Sequence, residues 1–289
     1  MIDAALDPLC GERITQLCER SLGAEVPRLR ILEEVDSTSS EAMRWRTELA
    51  NDRQAVAVVA EQQSAGRGRR GRSWNTAPGS AVHLSLARPL DSAYNIAPLG
   101  LACAIAVHEV LAILGVADLA IKWPNDIVCT DAGSRPYAKL GGLLLEASQR
   151  GGVSDEGSGH ELVVGLGLNL SLPAALRAEL EAGTEYAVGD LAALGFDPSG
   201  RNELIAMLIV ALAGTLERFQ EEGFPTFRAR WDAVDMLRGL GVAVRGGDGR
   251  LRRGVAHGID AEGALRVRLE GAQELLRVHA GEVSVRPLP

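Results

Sequence analysis

The sequence predicts an α+β chain in which one catalytic-sized domain is followed by a small all-β module, and three observations carry that prediction. Apolar periodicity alternates between strand-like and helix-like segments from Arg28 to Glu222. Beyond about Gly239 only short alternating strands and turn residues remain. The length of 289 residues is about two average domains. With 24% charged and 46% hydrophobic residues, 33 glycines and 12 prolines, the composition sits near globular averages, which excludes a disordered, collagen-like or coiled-coil chain.

Taken in order, Arg28 to Val35 reads as a strand that runs into Asp36-Ser37-Thr38-Ser39-Ser40-Glu41. There the Ser/Thr-x-x-Glu spacing of Thr38 and Glu41 predicts a capping box, opening a helix that contains Ala42, Trp45, Arg46 and Leu49. Ala55 to Ala60 is a continuous apolar strand and Val82 to Leu86 an alternating one, with a Gly/Arg loop between them. Pro98 to Leu114 reads as a helix with proline in its first turn and Gly115 at its end. Ala120 to Trp123 and Asp126 to Val128 flank a turn at Pro124-Asn125, and Leu140 to Leu145 and Glu161 to Leu170 supply two more strands. Loops are expected at Asp131 to Ala138 and Arg150 to Gly159. The clearest helix is Asn202 to Glu222, with Leu204, Met207, Leu208, Ala211, Leu212, Leu216 and Phe219 on one face. In the C-terminal module Val242/Val244, Leu265/Val267/Leu269, Leu276/Val278 and Val283/Val285 alternate, with turn signals at Asp248-Gly249 and Glu262-Gly263.

Composition also narrows function. A net charge of −8 disfavours a dedicated nucleic-acid binder, so any anion site has to be local. Cys10, Cys18, Cys103 and Cys129 show no Cys-x-x-Cys spacing and no histidine-rich neighbour, which predicts free thiols, no disulfide framework and no protein-held metal. The apolar run from Ile96 to Val116 is broken by Pro98, His108 and Glu109, so no membrane span is expected. Met1 to Leu9 lacks a basic signal-peptide start, and the protein is expected to be cytoplasmic. Of the 30 basic residues only Lys122 and Lys139 are lysines. Either two positions require a compact amine, or codon bias left two survivors.

The densest local signal is Gly66-Arg67-Gly68-Arg69-Arg70-Gly71-Arg72-Ser73-Trp74. Its glycines formally satisfy G-x-G-x-x-G, but Trp74, Pro78 and Gly79 follow where a dinucleotide fold needs a helix, so that match is rejected. Four arginines in six positions repel one another unless they meet an anion, and the glycines let a ligand approach the backbone. A solvated loop and an RNA-binding segment compete with that reading. Lys122-Trp123-Pro124-Asn125-Asp126 projects a cation, an amide and a carboxylate from one strand end, suited to phosphates and magnesium, although Pro-Asn-Asp is also ordinary turn chemistry. Lys139-Leu140-Gly141-Gly142 places the second lysine ahead of a glycine pair, compatible with ligand approach or with a simple bulge. Gly165-Leu166-Gly167-Leu168-Asn169-Leu170 interleaves glycine with core leucines, again for close approach or for packing alone.

In this order, Asp36-Ser37-Thr38-Ser39, the Gly66 to Trp74 loop, Lys122 to Asp126, Lys139 to Gly142 and Gly165 to Asn169 resemble the biotin protein ligase family. The resemblance covers residues 30–289 and implies a catalytic domain of the class II aminoacyl-tRNA synthetase/biotin ligase type with a C-terminal SH3-like β barrel. On that basis the chain divides into an extension (1–30), a biotin- and ATP-binding domain (31–237) and the barrel (238–289). The implied reaction is two-step: biotin and ATP give biotinyl-5′-AMP and pyrophosphate, and a lysine of a biotin carboxyl carrier protein domain of biotin-dependent carboxylases takes the biotinyl group.

The resemblance implies that Ser37, Thr38, Ser39 and Gln63 meet biotin, that Gly68, Arg69 and Arg70 cover biotin and the acyl phosphate, and that Lys139 binds the carboxylate. It assigns Arg72, Trp74, Lys122, Asn125, Asp126 and Asn169 to ATP and its Mg²⁺, with Lys139, Arg69 and Asp126 as the catalytic group. Two departures stand out: Ser39 replaces the asparagine frequent in the family, and the stretch Asp131 to Ala138 before Lys139 is long. About thirty residues precede the first motif strand, roughly half of what a DNA-binding domain requires, so no DNA binding is expected, while a homodimer stays open. A lipoate or octanoate ligase remains the nearest alternative.

Overall fold

In the computed structural model, residues 7–49, 52–74, 76–90, 96–149, 160–182, 184–246, 249–280 and 284–288 are described, and the structural statements below concern these. The expected loop from Arg150 to Gly159, the turn residue Asp248 and the strand residue Val283 lie outside them.

The first part of the chain builds a mixed sheet with helices on both faces. In chain order it contains α1 (Gly11–Leu22), β1 (Arg28–Val35), α2 (Thr38–Glu48), β2 (Val56–Gln63), β3 (Ala81–Leu90), α3 (Ile96–Ile113), β4 (Leu119–Lys122), β5 (Asp126–Cys129), β6 (Ala138–Gln149) and β7 (His160–Asn169). It continues through α4 (Ala174–Glu181), β8 (Ala187–Val188), α5 (Arg201–Glu222) and α6 (Arg228–Val234). The sheet order is β1-β2-β3-β7-β6-β5-β4, with β8 paired to β6. The β1–β2 and β6–β8 pairs are parallel and the others antiparallel.

Why β2 reads as an unbroken apolar run is visible in its two faces. Val56 and Val58 pack with Ala42 of α2 on one side, while Ala57 and Val59 join the large core beneath α1, α3 and α5 on the other. A strand buried on both faces loses the polar half of its alternation.

From Gly241 onward a second, antiparallel sheet forms from β9 (Gly241–Arg245), β10 (Leu251–Ile259), β11 (Leu265–Leu269), β12 (Leu275–Val278) and β13 (Ser284–Pro287), in the order β12-β11-β10-β9-β13. It is tied to the first part at a defined point. The buried Trp123 indole donates from Nε1 to the carbonyl of Gly263 at 3.0 Å, and Gly263, at φ +78°, lies against Pro98 and Leu101 of α3.

Several sequence expectations change. The capping box does not form: Ser37 is the N-cap and makes no side-chain cap bond. The Thr38 hydroxyl instead donates to Gln63 Oε1, and Glu41 is held by Arg30 and Arg44. Long-range partners outcompete the local cap because they bury the hydroxyl. Residues 11–22, read only as part of an extension, form α1, whose Ile14 and Cys18 enter the main core against α5. Elements α4, β8 and α6 were not anticipated. Ala138, expected to close a loop, opens β6.

Candidate active site

The sheet strands carrying the motif segments open onto one cavity of about 1200 Å³. Its wall includes Ser37, Thr38, Ser39, Gln63, Gly68, Arg69, Arg72, Trp74, Lys122, Asn125, Asp126, Lys139 and Asn169, so the segments read separately in the sequence converge. Arg70 is the exception among the expected residues. It is exposed, sits at φ 61°, and does not line the cavity, because the short turn Arg69–Gly71 aims it outward.

At the centre lies Asp126, the first residue of β5. It pairs with Lys122 at the end of β4 across a turn through the cis Trp123–Pro124 peptide. Lys139 Nζ donates to Asp126 Oδ1 at 2.6 Å, and Lys122 Nζ lies 3.6 Å from Oδ2. A bulge, one of the two readings open for Lys139 to Gly142, is present in β6: Ile127 pairs with Gly141 and Val128 with Lys139, so Leu140 is an extra residue. Leu140 then turns into the core while Lys139 reaches the cavity. Gly142 gives the Asp126 turn its room, since a β-carbon there would stand 3.3 Å from both Asp126 Oδ1 and the Asn125 carbonyl oxygen.

Burial alone would push the Asp126 carboxyl up, but the Lys139 and Lys122 ammonium groups outweigh it and hold the group below the usual carboxylate range. Burial pushes Lys122 down, with Asp126 opposing. Arg69, likewise lowered by burial, donates to Asn125 Oδ1 at 3.2 Å, and Asn125 Nδ2 in turn bonds the Leu143 carbonyl at 2.5 Å. Lys122, Lys139, Arg69 and Arg72 thus surround a single carboxylate, an excess of cation that only an anionic ligand neutralises.

Above this cluster Trp74 leans on Gly167, where a β-carbon would come within 2.7 Å of the indole. Its ring centre is 5.7 Å from Lys139 Nζ, and its Nε1–H is buried without a hydrogen-bond partner among the described residues. Asn169 lines the same cavity, but its amide holds the Gly189 carbonyl at 2.9 Å and so fixes the chain after β8. Of the loop arginines, Arg67 pairs with Glu146 at 3.2 Å, Arg69 and Arg72 line the cavity, and Arg70 alone points away from it. Three of the four are thus engaged at the cavity or with a carboxylate, which favours an anion site in the cavity over the RNA-binding reading.

At the other end the wall is polar and uncharged. Thr38 donates from N and Oγ1 to Gln63 Oε1 (2.8 and 3.1 Å), and Ser85 Oγ lies 2.8 Å from Thr38 Oγ1 and 3.0 Å from Ser39 Oγ. Gly165 makes room for Ser39, whose Oγ would be 2.5 Å from a β-carbon there. Ser85 and His83 escaped the sequence reading, as did Tyr137 and Tyr186, which stack with centroids 5.4 Å apart on the cavity wall. A signal for the first two existed in the polar positions of β3, and for Tyr137 in the long stretch ahead of Lys139.

The fold and this cavity define a class: a site with an uncharged, hydrogen-bonding end and a cationic end in one hollow. Residues 33–169 match the biotin/lipoate A/B protein ligase family, and residues 239–286 match the biotin protein ligase C terminal domain. The chain is 32% identical over 257 residues to the bifunctional ligase/repressor BirA of Escherichia coli, covering 89% of this chain and 73% of that protein. It is 31% identical over 250 residues to the biotin–[acetyl-CoA-carboxylase] ligase of Paracoccus denitrificans, covering 85% and 96%. Among solved structures, biotin protein ligase from Aquifex aeolicus in complex with biotin and ATP aligns with a TM-score of 0.68 over 90% of this chain and 99% of that one, a likeness of fold at 24% identity. The chain belongs to the biotin protein ligase family.

Proposed function

We propose that the protein is an ATP-dependent biotin protein ligase, which activates biotin as biotinyl-5′-AMP and transfers the biotinyl group to a lysine of a biotin carboxyl carrier domain. The observation that carries this reading is the pairing of an uncharged hydrogen-bonding end with a four-cation end in one cavity. In the first step a carboxylate oxygen of biotin attacks the α-phosphorus of ATP and pyrophosphate leaves. In the second the carrier amine attacks the acyl carbon, AMP leaves with the acyl C–O bond electrons, and the amine proton passes to solvent.

Both partners of the first step are anions, so the barrier is chiefly one of position and charge. Lys139 and Arg69 hold the biotin carboxylate against the α-phosphate. Asp126 keeps Lys139 and Lys122 in register, which is its catalytic share. Arg72, Lys122 and Asn125 serve the phosphates, Trp74 covers the anhydride and the adenine side, and Asn169 shapes the wall. Ser37, Thr38, Ser39 and Gln63 receive the ureido ring, with Gly68 giving the backbone close access; Arg70 reaches the ligand only if the loop rearranges.

Among the described residues no group of three or more His, Cys, Asp or Glu side chains is placed to hold a metal ion. Magnesium enters with the nucleotide phosphates, beside Asn125 and Asp126, which line the cavity. The C-terminal sheet suits an SH3-like barrel and the mixed sheet a class II synthetase-like core, with boundaries near residues 30 and 237. No helix among the described residues is long and apolar enough to cross a membrane, and all four cysteines are free.

Incubation with biotin, MgATP and a carrier domain tests the function, with lipoate and octanoate as competitors. The expected product is a carrier heavier by one biotinyl group on one lysine. No transfer, or preference for lipoate or octanoate, overturns the proposal.

A further inference from the structure

His83 is fully buried in β3, between Ala60 of β2 and Gly167 of β7, and does not line the cavity. Its Nδ1 is 3.1 Å from Gln63 Nε2 and its Nε2 is 2.8 Å from Thr76 Oγ1. Gln63 is the cavity residue in this pair, and its amide can face only one way. The backbone N–H of Thr38, which can only donate, points at Oε1 from 2.8 Å. Nε2 must then face the histidine, and because Nε2 is itself only a donor, Nδ1 must accept. The ring is therefore neutral, carries its proton on Nε2, and donates it to Thr76.

The same logic runs the other way through the hydroxyls. Thr38 Oγ1 gives its one proton to Gln63 Oε1, so Ser85 gives its proton to Thr38, and Ser39 gives its proton to Ser85. Burial favours the same ring state, pushing the imidazole down to about 4 against the small opposing influence of Glu61.

We infer that His83 is a positioning residue for the acid substrate's head group, acting through Gln63. Resting on the function proposed above, the wiring leaves the ureido ring one free N–H on Gln63 to bond its carbonyl and free lone pairs on Ser39 to accept its N–H. Remove the acceptor at Nδ1, and Gln63 Nε2 loses the bond that holds it, so the amide is tethered at Oε1 alone and its free N–H is no longer aimed at the ligand.

The test uses the full chain with His83→Asn, His83→Gln and His83→Phe. The Asn Oδ1 takes the place of Nδ1, whereas the Gln Oε1 takes that of Nε2 and leaves Gln63 without its acceptor. Expected results are a KM for biotin within threefold of wild type for His83→Asn, raised about tenfold or more for His83→Gln and His83→Phe, and a KM for ATP within twofold throughout. Equal KM for biotin in the Asn and Gln variants, or a parallel rise for ATP, overturns the inference. If His83→Phe fails to fold, the Asn/Gln pair decides. A wild-type chain that does not use biotin refutes the functional reading instead. The ring is then judged by ¹⁵N NMR, where an imidazolium or an Nδ1–H tautomer at pH 7 overturns the wiring whatever the substrate.

Discussion

Replacing Lys139 by arginine keeps a cation and changes only its shape. The ammonium bonds Asp126 Oδ1 at 2.6 Å and lies 5.7 Å from the Trp74 ring centre, so it is confined between a carboxylate and an aromatic face. A planar guanidinium, longer and spread over three nitrogens, has to move its charge centre by about 1 Å to keep the Asp126 contact. With an effective dielectric of about 20, a unit charge ~3 Å from the developing charge contributes about 5.5 kcal/mol, and at ~4 Å about 4.1. The difference, about 1.4 kcal/mol, is a tenfold loss in rate. Lys139→Met, which deletes the charge, is expected to lose about 10²- to 10³-fold, as for other preorganised donors. Biotin-dependent pyrophosphate release in a single turnover measures both, with thermal melting to confirm folding. An arginine variant within twofold of wild type refutes the amine requirement, and a methionine variant equal to the arginine one refutes the charge argument.

Gly165→Ala forces Ser39 to yield, because the new methyl would start 2.5 Å from its Oγ; the Ser39–Ser85 bond breaks, and steady-state kinetics should show the KM for biotin rising about tenfold with that for ATP unchanged. Trp123→Phe deletes the bond to Gly263 and leaves a buried carbonyl unpaired, which costs about 1–3 kcal/mol in a urea titration; an unchanged midpoint and slope would show that this bond contributes nothing. His83 gives a pH dependence with a definite sign. Its folded pKa of about 4 lies below the unfolded value near 6.5, so its contribution is complete above about pH 6.5 and is lost as pH falls toward 4. Unfolding free energies at pH 7 and pH 5 should therefore fall by about 2 kcal/mol more in wild type than in His83→Phe.

Legibility in the sequence followed the range of the forces involved. The Gly66 to Trp74 loop and Lys122 to Asp126 could be read because glycine freedom and clustered like charge are local facts that stay costly without a ligand. Thr38 was misread because its capping partner, three residues away, lost to Gln63, 25 residues away, which no local rule weighs. Alternation in β3 predicted one face to the core and one to water, yet His83 and Ser85 on the polar face are both fully buried. That face forms the support beneath the cavity, roofed by α2 and the Gly/Arg loop, and its polarity serves hydrogen bonding instead of hydration. Helix α1 was legible but overlooked. Ile14, Leu17, Cys18 and Leu22 recur at helical spacing on one face, with Ile14 and Cys18 fully buried and Leu17 and Leu22 packed against the same core.

The two lysines decide between the explanations left open by composition. Codon bias would scatter surviving lysines over the 30 basic positions, with no reason for them to meet. Instead both touch Asp126, one on each carboxylate oxygen, at 2.6 and 3.6 Å. A carboxylate flanked by β4 and β6 has room for two compact ammonium groups but not for two planar forks, each of which seeks both oxygens at once. One arginine would therefore satisfy Asp126 by itself and leave nothing over. Two lysines satisfy it while keeping most of their N–H bonds and a net positive charge for whatever anion enters the cavity. The structure thus uses lysine where a cation must be held in place and still be available to a second partner, and arginine at its paired surface sites, of which Arg44 on Asp36 and Arg277 on Asp260 are examples.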